Sequence, residues 1–241
     1  MNADIVAELA PTGTLRAAIN MGNFLLVSGT APSGDPEGVA PDLAGEIAKS
    51  LGVPVAYVPF ASPGDLVAAA GSNQWDIGTV GAEPAREKLM SFTAAYAEIA
   101  STYLVREDAP FKSVEEIDRA GVRIIVRGQA AYGLYLTRTI KNAELITTET
   151  HEIARQRFVD EKLDALAGLR PGLLGDVEKI PGTRVLEDGF SSVQQAVGTL
   201  RANTAGIAYL HDFVEEAKAS GLIARLIERH KVRGLTVAPA A

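Results

Sequence analysis

Apolar and polar positions in the first third of the chain follow two alternating periods. Short apolar segments at 15–20, 53–60 and 77–80 have the length typical of strands. Between them, apolar residues recur every three to four positions, which predicts amphipathic helices over 39–52 and 62–74. Strands that alternate with helices at this spacing favour an α/β fold with a mostly parallel sheet.

The rest of the chain repeats this alternation. A β-branched strand is predicted over 122–126, followed by a helix, a strand, a second helix and a short buried strand that ends near 169. Residues 192–201 favour a strand that leads back to the first half, and a long helical region broken at Gly221 follows. The final segment, GLTVAPAA, is expected to be frayed.

The most informative local pattern lies within residues 75–105. A buried strand there ends in a turn of small residues, and Pro84 suits the first turn of a helix that would carry Arg86. Free backbone amides beside an arginine suit the binding of a carboxylate. The residues alone leave a second interpretation open, in which this is an ordinary turn and Arg86 pairs with Glu83 or Glu87 at the surface.

Composition and charge exclude several classes of function. The 241 residues carry a net charge of −7 and have a pI near 5.1, which gives no electrostatic footprint for nucleic acid or an anionic membrane. The absence of cysteine excludes disulfides and thiolate chemistry. We expect no metal, because no two histidines have ligand spacing. No cofactor motif and no membrane-spanning stretch is present, and we expect a monomer.

The N-terminal sequence bears on location. MNADIVAELAPTG has Asp4 and Glu8 where a signal peptide carries basic residues, and it has no apolar core. From the sequence alone, either the chain is cytoplasmic or its signal peptide has been removed.

Several segments, in a fixed order, resemble the family 3 solute-binding proteins of ABC transporters, the type that binds polar amino acids. They extend from about Leu15 to about Arg229. The resemblance depends on their order and spacing rather than on any one motif. The segments are LRAAIN, DLAGEIAKSLGVPV, WDIG followed by PAREKLMSFTAAY, VRIIVRGQAAYGLYL, EKLDALAG and EEAKASGLIARLIERH.

This resemblance implies the type II fold of periplasmic binding proteins, an α/β architecture of two lobes. Each lobe would be a mostly parallel sheet flanked by helices, with lobe 1 formed by 1–104 plus 195–241 and lobe 2 by 105–194. Crossing segments at 101–106 and 191–196 would form a hinge that closes the lobes around a small solute. The resemblance also implies a periplasmic location and an ABC transporter permease as partner.

The ligand-binding positions of the family carry over unevenly. Counted back from Phe92, Arg86 falls on the arginine that binds the ligand carboxylate. The Gly-Thr-Thr of the second lobe becomes Gly128-Gln129-Ala130, which loses a hydroxyl. Leu169 replaces the aspartate that pairs with the α-ammonium group. The candidate ligand-binding residues are Arg86, Asn20, Asn23, Phe24, Thr79, Gly81, Ala82, Gln129, Ala130, Tyr132, Arg170 and Gln195.

The missing aspartate decides the expected ligand class. An ammonium group without a carboxylate partner would be poorly compensated. We therefore expect a small organic acid or another carboxylate-bearing metabolite rather than an ordinary α-amino acid. Two points stay open: Glu98 could supply the missing anion for an amino acid, and Arg170 could be a surface residue before Pro171 rather than a ligand contact.

Other functions on the same fold have to be weighed. Enzymes that resemble cyclohexadienyl or arogenate dehydratases use a positioned acid to protonate a leaving hydroxyl. Glu98 is the nearest candidate acid, and no other residue pattern indicates acid–base machinery, so a binding protein is the preferred interpretation. A sensor or binding protein that works without a transporter is a third alternative.

Overall fold

The computed structural model describes residues 3–241, and contacts among them divide the chain into two units. Unit 1 comprises the chain up to Glu98 and, after an interruption, Gln194–Ala241. Unit 2 is the continuous segment Ile99–Val193. The boundaries expected from the sequence lie at 104/105 and 194/195, whereas the contacts divide the chain at 98/99 and 193/194.

The helices and strands follow the predicted alternation. The helices are α1 (Ala3–Leu9), α2 (Val39–Leu51), α3 (Pro63–Ala68), α4 (Ala131–Thr139), α5 (His151–Asp160), α6 (Arg170–Val177), α7 (Thr204–Ala219) and α8 (Leu222–Arg229). The strands are β1 (Leu15–Asn20), β2 (Gly29–Thr30), β3 (Pro36–Glu37), β4 (Val55–Phe60), β5 (Ile77–Gly81), β6 (Met90–Arg106), β7 (Arg123–Arg127), β8 (Glu144–Thr148), β9 (Ala165–Leu169), β10 (Thr183–Val185), β11 (Ser191–Leu200) and β12 (Thr236–Val237). Across residues 3–241, each helix is too short or too polar to span a membrane.

The sheet of unit 1 has a parallel centre. Strand β1 pairs in parallel with β4 on one side and with β5 on the other. Strand β11 runs antiparallel to β5, and Gln195 lies opposite Gly81 in that pairing. The buried residues Ala18, Trp75, Val80 and others form one apolar layer against α3. Because β1 and β5 point the same way, their carboxyl ends lie at one edge of this sheet.

Unit 2 is organised in the same way. Strand β7 pairs in parallel with β8 and β9, and the later part of β6 runs antiparallel to β9. Alternate residues of β7 pack into two apolar clusters, one on each face of the sheet. Ile124 and Val126 belong to the cluster that contains residues of α4. Ile125 packs against Ala154 and Phe158 of α5. This alternation is what a strand covered by helices on both faces requires.

The helix predicted over 62–74 is shorter in the structure. Helix α3 begins as expected, with the Ser62 side chain accepting a hydrogen bond from the Asp65 amide, but it ends at Ala68. The indole of Trp75 donates to the Leu66 carbonyl at 3.2 Å, and Asn73 has a left-handed φ of 60°. The helix therefore ends earlier than the local sequence pattern predicts, because the buried tryptophan packs back onto it.

The helix start predicted around Pro84 and Arg86 is wrong. Residues 84–89 form consecutive turns instead, in which the amides of Arg86 and Glu87 both donate to the Glu83 carbonyl. The chain has to re-enter the sheet at the fully buried Met90, which begins β6, so helical turns cannot propagate. No helix amino terminus is therefore present beside Arg86 among the residues described.

The prediction of a frayed C-terminus is also wrong. Val237 and Thr236 of β12 pair with Ala97 and Glu98 of β6, and the Ala238 amide donates to the Tyr96 carbonyl at 3.2 Å. Leu235 and Ala238 are each only 5% exposed. Burial of these two side chains, together with the β pairing, orders a segment whose composition alone favours disorder.

Two helical glycines of unit 2 give a test of packing. A Cβ on Gly133 in α4 would lie 2.2 Å from the Arg127 carbonyl oxygen, whereas a Cβ on Gly175 in α6 meets no atom within 4 Å. We expect Gly133→Ala to lower the free energy of unfolding by about 1–3 kcal/mol through overpacking. Gly175→Ala should raise it by up to about 1 kcal/mol through the helix preference for alanine. Urea unfolding measures the free energy of unfolding of both variants. Equal changes in the two variants would contradict the close packing of α4 on the end of β7.

Candidate functional site

The candidate residues of unit 1 lie together at the carboxyl ends of two parallel strands. Asn20 is the last residue of β1, and Gly81 is the last residue of β5. Gln195 of β11, only 3% exposed, lies opposite Gly81. The Ala82 amide donates to the Gln194 carbonyl at 2.7 Å, so the chain leaving β5 stays joined to β11. Sheet pairing thus places these positions in fixed relation to one another.

Arg86 is buried beside this edge. The residue is 4% exposed, and its Nη1 donates to the Gly81 carbonyl at 2.5 Å. Arg86 is therefore not a surface side chain, and Glu83, one of the two acids that the sequence offers as its partner, is itself only 9% exposed. A guanidinium has five donors in a planar fork that matches a carboxylate, and contact with the end of β5 fixes its orientation. Thr79, at 1% exposure, lies within the same strand and its hydroxyl is 3.5 Å from the Ala18 carbonyl.

The loop after β1 is held by its own asparagines. The Asn20 Oδ1 accepts from the Gly22 amide at 3.1 Å, and the Asn23 Oδ1 accepts from the Leu25 amide at 3.2 Å. Such side-chain contacts to nearby amides are typical of asparagine in turns. Phe24, directly after Asn23, is 56% exposed, so its ring is accessible to a ligand or partner.

The candidate residues of unit 2 follow two other parallel strands. Gln129 and Ala130 lie between β7 and α4, and Arg170 is the first residue of α6, directly after β9. Because β7 and β9 are parallel, these residues share one edge of the sheet of unit 2. Tyr132 in α4 is 6% exposed, and burial raises its pKa to about 12, so the phenol stays protonated at neutral pH.

Arg170 has definite partners within unit 2. Its Nη1 donates to the Leu186 carbonyl at 2.7 Å and to the Glu187 carbonyl at 2.8 Å, and its Nη2 lies 3.3 Å from the Glu187 carboxylate. These contacts connect the start of α6 to the segment before β11. The guanidinium thus stabilises the fold of unit 2, in addition to any contact it makes with a ligand.

A charged group of unit 2 was missed by the sequence reasoning. Asp176 of α6 is 2% exposed and accepts hydrogen bonds from His151 Nε2 at 2.6 Å and Arg155 Nη1 at 3.1 Å. Burial acts to raise the pKa of Asp176, but hydrogen bonds and charge from His151 and then Arg155 outweigh it and hold that pKa below its ordinary value. The available signal was that His151 follows the end of β8 after only two residues.

Arg127, the last residue of β7, was also missed. Its Nε is buried and has no hydrogen-bond partner among residues 3–241. Across the same residues, no group of three or more His, Cys, Asp or Glu side chains is arranged to hold a metal ion.

With this geometry described, comparison with known proteins identifies the family. The family model of the bacterial extracellular solute-binding proteins, family 3, matches residues 23–232. The chain belongs to this family. The resemblance deduced from the sequence and the α/β fold class are thereby confirmed.

Solved structures agree in fold. A putative binding component of an ABC transporter from Wolinella succinogenes, complexed with lysine, has a TM-score of 0.74 at 21% identity and covers 90% of this chain and 95% of its own. An amino acid ABC transporter substrate-binding protein of Streptococcus pneumoniae, bound to L-arginine, has a TM-score of 0.73 at 19% identity, with 93% and 98% covered. At these identities the likeness shows the fold alone.

One curated relative is an enzyme. The cyclohexadienyl dehydratase of Pseudomonas aeruginosa is 27% identical over 163 residues, which is 66% of this chain. The aligned part spans 60% of the length of that relative.

The buried Asp176 predicts a pH-dependent contribution to stability. Since its pKa is lower in the folded chain than its ordinary 3.8, its pairing stabilises the fold above that value and is lost as pH falls through the lowered pKa. Asp176→Asn should therefore lower the free energy of unfolding by about 1–3 kcal/mol at pH 7. The difference in the free energy of unfolding between this variant and the unmodified chain should become smaller below pH 4.

Urea unfolding from about pH 7 down to the acid limit of folding measures this dependence. Asp160→Asn, at an exposed position of α5, is the matched control and should change stability little. A constant difference between the Asp176 variant and the unmodified chain across this range would contradict the role assigned to the carboxylate.

Proposed function

We propose that this protein captures a small carboxylate-bearing metabolite, an organic acid or an atypical amino-acid-like solute, for uptake by an ABC-type transporter in the periplasm. The observation that supports this most directly is the buried Arg86, held by the Gly81 carbonyl where β1 and β5 end. A desolvated, oriented guanidinium binds a carboxylate by charge-assisted hydrogen bonds. Membership of a solute-binding family supports transport rather than chemistry as the task.

The residues at the edge of unit 2 favour an acid over an ordinary amino acid. Leu169 ends β9 at the position where the resemblance calls for an aspartate, and the next residue is the cationic Arg170. An α-ammonium group beside them would lack a carboxylate partner and would lie near a positive charge. The two structural neighbours are bound to lysine and to L-arginine, so amino acids remain the alternative ligand class.

Calorimetric titration of organic acids and standard amino acids tests the ligand class and the anchor together. We expect an organic acid to bind, and Arg86→Gln to weaken its binding by about 100-fold or more through loss of a paired, charge-assisted contact. Arg157→Gln is the matched control. It removes an arginine from α5 that pairs with Glu161 at 2.5 Å, and it should leave affinity unchanged.

Two results would contradict different parts of this proposal. Tight binding of a standard amino acid that is lost in Arg86→Gln would keep the anchor and exclude the organic-acid class. Unchanged affinity in a folded Arg86→Gln variant, checked by its thermal unfolding, would exclude Arg86 as the anchor. Because Arg86 is buried, Arg86→Lys serves as a second variant that keeps the charge and should lose affinity only in part.

A dehydratase activity is the second candidate, favoured by the 27% identical relative. Loss of a protonated ring hydroxyl as water, together with loss of the ring carboxylate as carbon dioxide, converts a cyclohexadienyl acid into an aromatic ring, so ultraviolet absorbance follows the reaction directly. Glu98, which lies in β6 opposite Thr236, is the candidate acid. We expect no turnover. Conversion by the unmodified chain that is abolished in Glu98→Gln would establish the enzyme instead.

A further inference from the structure

Three side chains from distant parts of the chain form a hydrogen-bonded series in unit 1, apart from the proposed anchor. The Ser28 hydroxyl lies 3.4 Å from Nδ1 of His230, and Nε2 of the same ring lies 2.8 Å from Oδ2 of Asp42. These pairs are 202 and 188 residues apart, so only the fold brings them together. A hydroxyl, an imidazole and a carboxylate in this order are the groups that activate a serine as a nucleophile.

The backbone before Ser28 is joined to the start of α2, which carries the carboxylate. The Ala40 amide donates to the Leu26 carbonyl at 3.1 Å. Gly38, with a φ of 147°, approaches the same carbonyl so closely that a Cβ would lie 2.3 Å from its oxygen. Asp42 follows in the first turn of α2. Backbone contacts therefore place Ser28 and Asp42 in a defined relation.

The imidazole of His230 is held from α8. His230 directly follows this helix, its amide donates to the Leu226 carbonyl at 3.1 Å, and its side chain is only 15% exposed. Arg229 Nη1 lies 3.0 Å from the same oxygen of Asp42 that His230 contacts. Burial of the ring and its contact with the carboxylate together fix its orientation.

The partners of the ring determine which nitrogen carries the hydrogen in the neutral imidazole. A carboxylate only accepts hydrogen bonds, so the hydrogen is assigned to Nε2, which faces Asp42. Nδ1 then presents its lone pair to the Ser28 hydroxyl. The two ring nitrogens thus exchange the positions that they have in serine proteases, where Nδ1 faces the carboxylate and Nε2 faces the serine.

Ser28 is exposed, so a substrate can reach its Oγ. Its hydroxyl has a second acceptor, the Glu37 carbonyl at 3.4 Å, but that oxygen already accepts from the Ser28 amide at 2.8 Å. This carbonyl accounts for neither the imidazole nor the carboxylate behind it. An accessible hydroxyl with an oriented base behind it is the arrangement that nucleophilic catalysis requires.

We propose that Ser28 and His230 form a second functional site in unit 1, which hydrolyses small carboxylic esters through an acyl-Ser28 intermediate. Ser28 Oγ bonds to the ester carbonyl carbon, and the bond from that carbon to the leaving alcohol oxygen breaks. The Oγ proton passes to His230 Nδ1 and from there to the leaving oxygen.

Water then attacks the acyl carbon and the carboxylic acid departs. A proton from the water returns through His230 to Ser28 Oγ, so the net reaction consumes one ester and one water and releases one acid and one alcohol. Asp42 is a positioning residue, which orients the ring and stabilises the imidazolium that forms. The site does not depend on the solute bound at Arg86.

Hydrolysis of p-nitrophenyl acetate by the full-length chain tests the site, at about pH 8, where an unperturbed histidine is mostly neutral. We expect turnover above the rate in buffer. Ser28→Ala and His230→Gln should each lower kcat/KM by about 100-fold or more. A fluorophosphonate probe should label Ser28, which mass spectrometry of the peptides locates. Because Ser28 is exposed, its alanine variant should keep the fold.

The role of Asp42 is tested separately. Asp42→Asn should lower kcat by about 10-fold or more with KM unchanged, and Asp42→Glu should restore kcat in part. Thermal unfolding of both variants is measured alongside. A lower unfolding temperature in Asp42→Asn with unchanged kcat would overturn the positioning role.

Ser33→Ala is the matched control. Ser33 is an exposed serine between β2 and β3, and its hydroxyl donates to the Asp35 carboxylate at 2.9 Å. Ser33→Ala should leave turnover unchanged, and so should Arg86→Gln, which separates this site from the proposed anchor. Absence of turnover and labelling in the unmodified chain, labelling of another residue instead of Ser28, or equal loss in Ser33→Ala would overturn the proposal.

Discussion

The hydrogen bond from Arg86 to the Gly81 carbonyl connects the candidate anchor to the sheet of unit 1. Gly81 is the last residue of β5, which lies between β1 and β11 and pairs with both. Arg86 itself lies in the turns over 84–89, but its guanidinium is therefore joined to a strand that is paired on both sides. A binding group that is held by regular structure loses little conformational entropy when a ligand arrives, and this is the physical basis of pre-organisation.

The distribution of charge is compatible with the proposed binding of an acid by an acidic protein. Net charge is −7, yet Arg127 and Arg170 lie at or directly after the carboxyl ends of strands, and Arg86 lies in the turns that follow β5. Interactions among exposed charges are screened within about 10 Å at ordinary ionic strength, whereas buried groups act locally. The overall acidity thus has little influence on what these edges bind.

Unit 2 shows how a buried carboxylate shapes its surroundings. Asp176 is 2% exposed, and a buried carboxylate is stable only with partners; His151 and Arg155 of α5 supply them. These hydrogen bonds connect α6 to α5 and orient the imidazole of His151. The Nε of Arg127, at the end of β7, is buried and has no hydrogen-bond partner within the described part of the chain, 3–241.

The sequence by itself determined the order of elements, because apolar periodicity reflects which faces are buried. It predicted β1 at its observed bounds, α2 to within one residue and the break at Gly221. Tertiary structure alone decided where α3 ends, why 84–89 is a run of turns, and why β12 is ordered. In each case the burial or pairing of a residue outside the segment, Trp75, Met90 or Tyr96, imposes a constraint that local propensity cannot anticipate. The same holds for His151 and Asp176, which lie 25 residues apart: a hydrogen bond between them exists only once α5 and α6 pack on one sheet.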